Sequence, residues 1–199
     1  MNTLKNRISI LSIGMGIVLW AIIARSPIPL LTAAAIFIHE AGHVVGARLV
    51  RVNCGGFRLM SFEARLSLIN GLISYKKEFF ICAMGPLFNA LSFIPILVCG
   101  TKLFRSDSLS FFATVSASLA MLNLLPIGDF DGGRMLFCVL SPLLGLRWAN
   151  IICRTFSFFS LFALWCVSVY IMIRIGTSVS LFLFSATLFL RIFTVDPPF

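Results

Sequence analysis

A chain of 199 residues that is 59% apolar, with 21 phenylalanines and only 12% charged residues, carries more apolar surface than the core of a soluble domain this size can bury. A bilayer accommodates it, because each membrane span takes up about 20 apolar residues. The net charge of +9 is spread over basic residues set mostly singly between apolar runs, without an aromatic-interleaved patch. It gives no sign of a nucleic-acid partner and reads as loop charge that sets membrane topology.

The apolar stretch from about Ile8 to Ala24 follows Lys5 and Arg7, as in a secretory leader. It is long for a leader core and no clear A-x-A site follows, so a retained first span is expected. Arg25-Ser26-Pro27-Ile28-Pro29 is a turn. A second span runs from about Leu30 to Val50. Beyond it the pattern changes. Gly55-Gly56 is a turn signal, Phe57-Arg58-Leu59 and Glu63-Ala64-Arg65-Leu66 alternate, and Asn70-Gly71 is a strong hairpin signal. These predict a small antiparallel β element at or dipping into the membrane between spans 2 and 3.

The third span, from about Phe79 to Gly100, contains Gly85-Pro86-Leu87-Phe88-Asn89. The fourth, from about Leu109 to Leu125, runs into Pro126-Ile127-Gly128-Asp129-Phe130-Asp131-Gly132-Gly133-Arg134. A shorter apolar piece, Met135 to Leu146, precedes spans 5 and 6, from about Ile151 to Ile173 and from Val179 to Phe193. The Phe-rich run from Thr155 to Leu164 is expected to face lipid or pack. The fold class expected is therefore an all-α polytopic membrane protein with about six transmembrane helices. The six cysteines include no C-x-x-C pair and lie mostly in apolar runs, so they read as small buried hydrophobes rather than disulfides or thiolate ligands.

With a cytoplasmic N-terminus, only Arg25, Lys102, Arg105 and Arg174 of the sixteen Lys and Arg residues fall on the far side. Basic residues concentrate on the cytoplasmic side, so both termini are expected there. Span 2 then descends to the cytoplasmic half, as does span 4.

Both histidines of the chain lie in one heptapeptide, Phe37-Ile38-His39-Glu40-Ala41-Gly42-His43, inside span 2. Ionisable groups within a span cost several kcal/mol each by insertion scales, which marks them as functional. On a helix, H-E-x-x-H sets two imidazoles at i and i+4 on one face, within reach of a single zinc ion, with the glutamate beside them as a base. A catalytic zinc normally has three protein ligands and one open position. Of the seven acidic residues, only Asp129 and Asp131 combine a place at the end of span 4 with the expected depth. Pro126 and the glycines around them permit an unwound end there, and such backbone is tolerated at membrane depth only against protein or a watery cavity. Asp131 is also suited to cap the following helix.

Three stretches together resemble the site-2 protease family of intramembrane zinc metalloproteases: His39-Glu40-Ala41-Gly42-His43, Gly85-Pro86-Leu87-Phe88-Asn89, and Asn123-x-x-Pro126-x-x-x-x-Asp131-Gly132. The similarity spans about Ala33 to Arg134. It implies one zinc ion per chain held by His39, His43 and Asp131, with Glu40 as the general base. Asn89 and Asn123 match polar positions near the active site, in substrate-binding or supporting roles. It implies a metalloendopeptidase that cuts a membrane-embedded or membrane-associated protein, with the bilayer and inhibitory membrane proteins as further partners. The chain is expected to form a single domain with a catalytic core of about residues 30–146 and no PDZ or CBS domain. The short form is most similar to the sporulation protease that processes a pro-sigma factor, in a bacterial cell membrane. The alternatives are a membrane metal-binding or transport protein and an inactive scaffold. An exposed edge of the β element is expected to suit an extended substrate segment.

Overall fold

A computed structural model of the chain describes residues 26–52, 54–60, 63–68, 74–103, 107–128, 130–175 and 179–194. The expected first span, the Asn70-Gly71 turn, Asp129 and the C-terminal tail lie outside these residues. Six helices and two strands are described: α1 (Ile28–Leu49), β1 (Cys54–Met60), β2 (Glu63–Leu68), α2 (Tyr75–Leu103), α3 (Asp107–Asn123), α4 (Asp131–Leu144), α5 (Leu146–Ile175) and α6 (Val179–Thr194). Three of the helices, α1, α2 and α5, contain segments long and apolar enough to cross a membrane. α3 has 17 residues and α4 has 14, against the roughly 20 that a straight span requires.

The chain divides into two compact units, residues 1–122 and 123–199. In the first unit, α1 starts without a side-chain cap, and Pro29 occupies its opening turn, where a missing N–H is harmless. It ends in a Schellman motif. Val52 N–H reaches back to the Ala47 carbonyl at 2.9 Å and Arg51 N–H to the Arg48 carbonyl at 3.1 Å. Arg51 takes the left-handed conformation this closure demands (φ 54°), a place usually given to glycine.

β1 and β2 pair antiparallel, with Met60 opposite Glu63 and Cys54 opposite Leu68. The chain thus reverses between Met60 and Glu63, ahead of the Asn70-Gly71 signal. The register slips by one residue between Cys54 and Phe57, where Gly55-Gly56 supplies the backbone freedom a bulge needs.

α1 and α2 pack through small residues. A Cβ on Gly42 would strike the Met84 carbonyl oxygen and lie 3.0 Å from Gly85 Cα, and one on Gly46 would lie 3.3 Å from Ile81 Cα. Gly42 and Gly46 are four residues apart, the small-x-x-x-small spacing that lets membrane helices approach closely.

In the second unit, α4 and α5 are separated by Gly145, which adopts a positive φ of 78°, and the Ser168 and Ser185 hydroxyls hydrogen-bond between α5 and α6 at 2.9 Å. Over the described residues of both units, the buried apolar set is dominated by small side chains such as Ala120, Cys138, Ala149 and Cys153. Large apolar residues face outward instead, including Phe37, Met121, Leu143 and Ile173. That inversion suits a hydrocarbon surrounding. Phe156, Phe158, Phe159 and Phe162 are among the exposed residues, in line with the lipid-facing role expected of that run. Among the described residues, Cys82, Cys138, Cys153 and Cys166 are in no disulfide.

Candidate metal centre

His39 and His43 lie one turn apart on the buried face of α1. Their rings meet edge to face with centroids 4.8 Å apart, and their Nε2 atoms are 3.2 Å apart. Both side chains are buried, and Glu40 between them is half-buried. Two imidazoles on a tetrahedral zinc, each at about 2.0–2.1 Å, hold their nitrogens roughly 3.3 Å from each other. The observed separation fits that arrangement.

One face of α2 is built to receive these rings. Ile81, Gly85 and Asn89 recur every four residues along it. The Ile81 carbonyl oxygen lies 2.8 Å from His43 Nδ1. A carbonyl can only accept, so His43 carries its proton on Nδ1 and presents a lone pair at Nε2. At the other end, the Asn89 carboxamide lies 3.4 Å from His39 Nδ1. Between them, Gly85 has no side chain because there is no room for one. A Cβ there would collide with His43 Nε2 and would sit 2.5 Å from His43 Cε1 and 2.9 Å from His39 Cε1. The glycine of Gly85-Pro86-Leu87-Phe88-Asn89 is therefore a cradle for two imidazoles, and the asparagine four residues on touches one of them.

Asp131 belongs to the second unit. It is the first residue of α4, with Phe130 in the cap position, so it is not the N-cap that its sequence position suggested. The cap slot moves back one residue because Phe130 is extended (φ −102°, ψ 162°) while Asp131 is already helical. An acidic residue in the first turn favours the positive end of the helix. The Asp131 side chain is 9% exposed.

The segment before Asp131 is folded tightly. Phe130 N–H closes a turn onto the Ile127 carbonyl at 2.9 Å. A Cβ on Gly132 would strike the Leu124 carbonyl, and one on Gly133 the Ile127 carbonyl. These glycines let the start of α4 press against the 124–128 turn. Ser157, on α5, secures the same turn by accepting the Gly128 N–H at 2.9 Å and donating to the Pro126 carbonyl at 3.2 Å. Sequence reasoning missed Ser157. A serine in a Phe-rich run carries no motif, and with Thr155 and Ser160 close by in the same run nothing in the sequence singles it out. It also passed over the Gly42/Gly46 pair, whose spacing was visible. Asn123, the last residue of α3, is half-buried.

Comparison with known proteins agrees with these features. Residues 94–164 match the model of peptidase family M50; this part contains the Asn123 to Asp131 segment and Ser157. Stage IV sporulation protein FB of Bacillus subtilis (strain 168) is 27% identical over 117 residues, which are 58% of this chain and 41% of that protein. The site-2 protease from Methanocaldococcus jannaschii superposes with a TM-score of 0.59 at 19% identity, over 96% of this chain and 92% of that one, a likeness of fold. Residues 94–164 are thus similar to peptidase family M50, and the fold of the chain resembles that of a site-2 protease.

Proposed function

We propose that the chain is a zinc-dependent intramembrane endopeptidase whose ligands are His39, His43 and Asp131 and whose general base is Glu40. The observation that carries this reading is the histidine pair: His39 and His43 are buried on one face of α1 with their Nε2 atoms 3.2 Å apart. Asp131, buried at the start of α4, is the carboxylate the reading adds to them. Two imidazoles and one carboxylate leave one position open, the donor set of a hydrolytic zinc site. Zinc bound there polarises a carbonyl and makes water more acidic.

The chain's own residues do the rest. Glu40 takes a proton from the attacking water and returns it to the leaving amine. Glu40 also argues against an inactive scaffold, since holding a metal needs no base. Asn123, at the end of the helix leading into the Asp131 segment, is suited to hydrogen-bond the substrate backbone. The substrate is a membrane-embedded or membrane-associated protein, which must unwind locally to offer a peptide bond. The likeness to a sporulation protein supports a substrate processed during sporulation, with a pro-sigma factor the first to test. The positive-inside bias of the loops supports cytoplasmic termini, and the apolar runs support six spans in a bacterial cell membrane.

The test is Glu40→Gln, co-expressed with candidate substrates, with zinc measured in the same purified preparation. Zinc retained and cleavage abolished is expected. Wild-type cleavage by this variant would refute the mechanism, and a wild-type chain that binds zinc but cuts none of its membrane-protein candidates would favour the transport or scaffold alternatives.

A further inference from the structure

Asn89 is completely buried. Its carboxamide has one hydrogen-bonding neighbour assigned, His39 Nδ1, 3.4 Å from the atom placed as Nδ2, while Oδ1 is left without a partner. The two ends of a carboxamide have the same shape, so which end faces His39 must be decided from the hydrogen-bond network. The network gives a decision. His43 has its proton on Nδ1, committed to the Ile81 carbonyl. If both Nε2 atoms are ligands to one ion, neither can carry a proton. The His39 proton must then be on Nδ1, and only a carboxamide oxygen can accept it.

We propose that Asn89 is a positioning residue for His39: its Oδ1 accepts the Nδ1–H of His39, fixing the tautomer and ring orientation that point Nε2 at the metal. This deepens the zinc-site reading above and rests on it. One rotation of the amide gives the buried oxygen its partner. The two histidines are then held alike, each by an oxygen acceptor on the same face of α2, two turns apart: the Ile81 main chain for His43 and the Asn89 side chain for His39. Metal-ligating histidines generally rely on such a second acceptor, and its loss typically costs 10–100-fold in metal affinity. The opposite arrangement, with the amide donating to His39 Nδ1 and the two Nε2 atoms sharing a proton, would remove His39 as a ligand.

The two arrangements respond oppositely to one substitution. Asn89→Asp keeps an oxygen at either end, whereas Asn89→Leu keeps the volume and removes the acceptor. Zinc affinity is measured on the purified full chain by competition with a chromogenic chelator. The expected result is a loss of about 10–100-fold in Asn89→Leu and near wild-type affinity in Asn89→Asp. Wild-type affinity in Asn89→Leu, or an equal loss in both variants, would overturn the proposal.

A measurement on the wild type covers the case in which the variants do not fold. The chain has only two histidines, so ¹⁵N-histidine labelling reports on this pair alone. Protons on Nδ1 of both rings are expected in the zinc-loaded protein. An Nε2–H on His39 with zinc bound would sink the idea. Failure of the zinc reading itself is distinguishable, because the wild type would then hold no stoichiometric zinc and Glu40→Gln would cleave normally.

Discussion

Gly85→Ala is the sharpest test of how α2 builds the proposed metal centre. The added Cβ would lie 2.5 Å from His43 Cε1 and 2.9 Å from His39 Cε1. Ordinary contact begins at 3.4 Å, so the His43 ring must retreat by about 0.9 Å. Metal–ligand distances tolerate about 0.2 Å, and the ring cannot retreat without breaking its 2.8 Å hydrogen bond to the Ile81 carbonyl. A displacement of about 1 Å at a reacting centre costs on the order of 100-fold. Zinc affinity and cleavage are each expected to fall at least about 100-fold, while overpacking costs roughly 1–3 kcal/mol of stability. Gly46→Ala is the internal control. Its Cβ would meet Met84 Cγ at 2.9 Å, Met84 Cβ at 3.1 Å and Ile81 Cα at 3.3 Å; these three nearest atoms belong to no imidazole, so α1 and α2 must give by a few tenths of an ångström and zinc affinity should fall less than in Gly85→Ala. Chelator competition and thermal unfolding in detergent read both effects. Wild-type zinc affinity in Gly85→Ala, or an equal loss in both variants, would refute the cradle argument.

Three further outcomes are expected. Ser157→Ala removes both hydrogen bonds to the 126–128 turn and leaves the half-buried Gly128 N–H without its hydroxyl partner, costing about 1 kcal/mol; cleavage should fall more than stability does, and Ser157→Thr should recover part of it. A Ser157→Ala enzyme with unchanged turnover would show that the turn holds itself. Asp131→Asn should lose zinc and all cleavage, whereas Asp129→Asn should keep both, read by metal analysis and product formation; the reverse result would move the third ligand to Asp129. Arg51→Gly relieves a left-handed position on a non-glycine residue and should stabilise the chain by about 1 kcal/mol, seen as a higher unfolding temperature, with zinc content unchanged.

The sequence alone determined the membrane character and the helical class, and it named the residues proposed for the metal site. These properties are encoded locally. Apolar composition decides what can be buried in water, H-E-x-x-H on any helix puts two imidazoles on one face, and the Asn123 to Asp131 spacing is recognisable without coordinates. The strand pairing was legible only in part, because Asn70-Gly71 is a local turn signal while register is a matter of which strands meet. Contacts across distance were decided by the tertiary structure. Nothing in the spacing says that Ile81, 38 residues beyond His43, supplies its acceptor, or that a serine in a phenylalanine run clasps the turn before Asp131. Asn89 was flagged by its motif, yet its motif could not separate a substrate contact from support of the metal site. Packing against α1, made possible by the missing side chains at Gly42, Gly46 and Gly85, is what sets it beside His39. A hydrogen bond depends on direction and on a few tenths of an ångström, and a linear pattern carries neither.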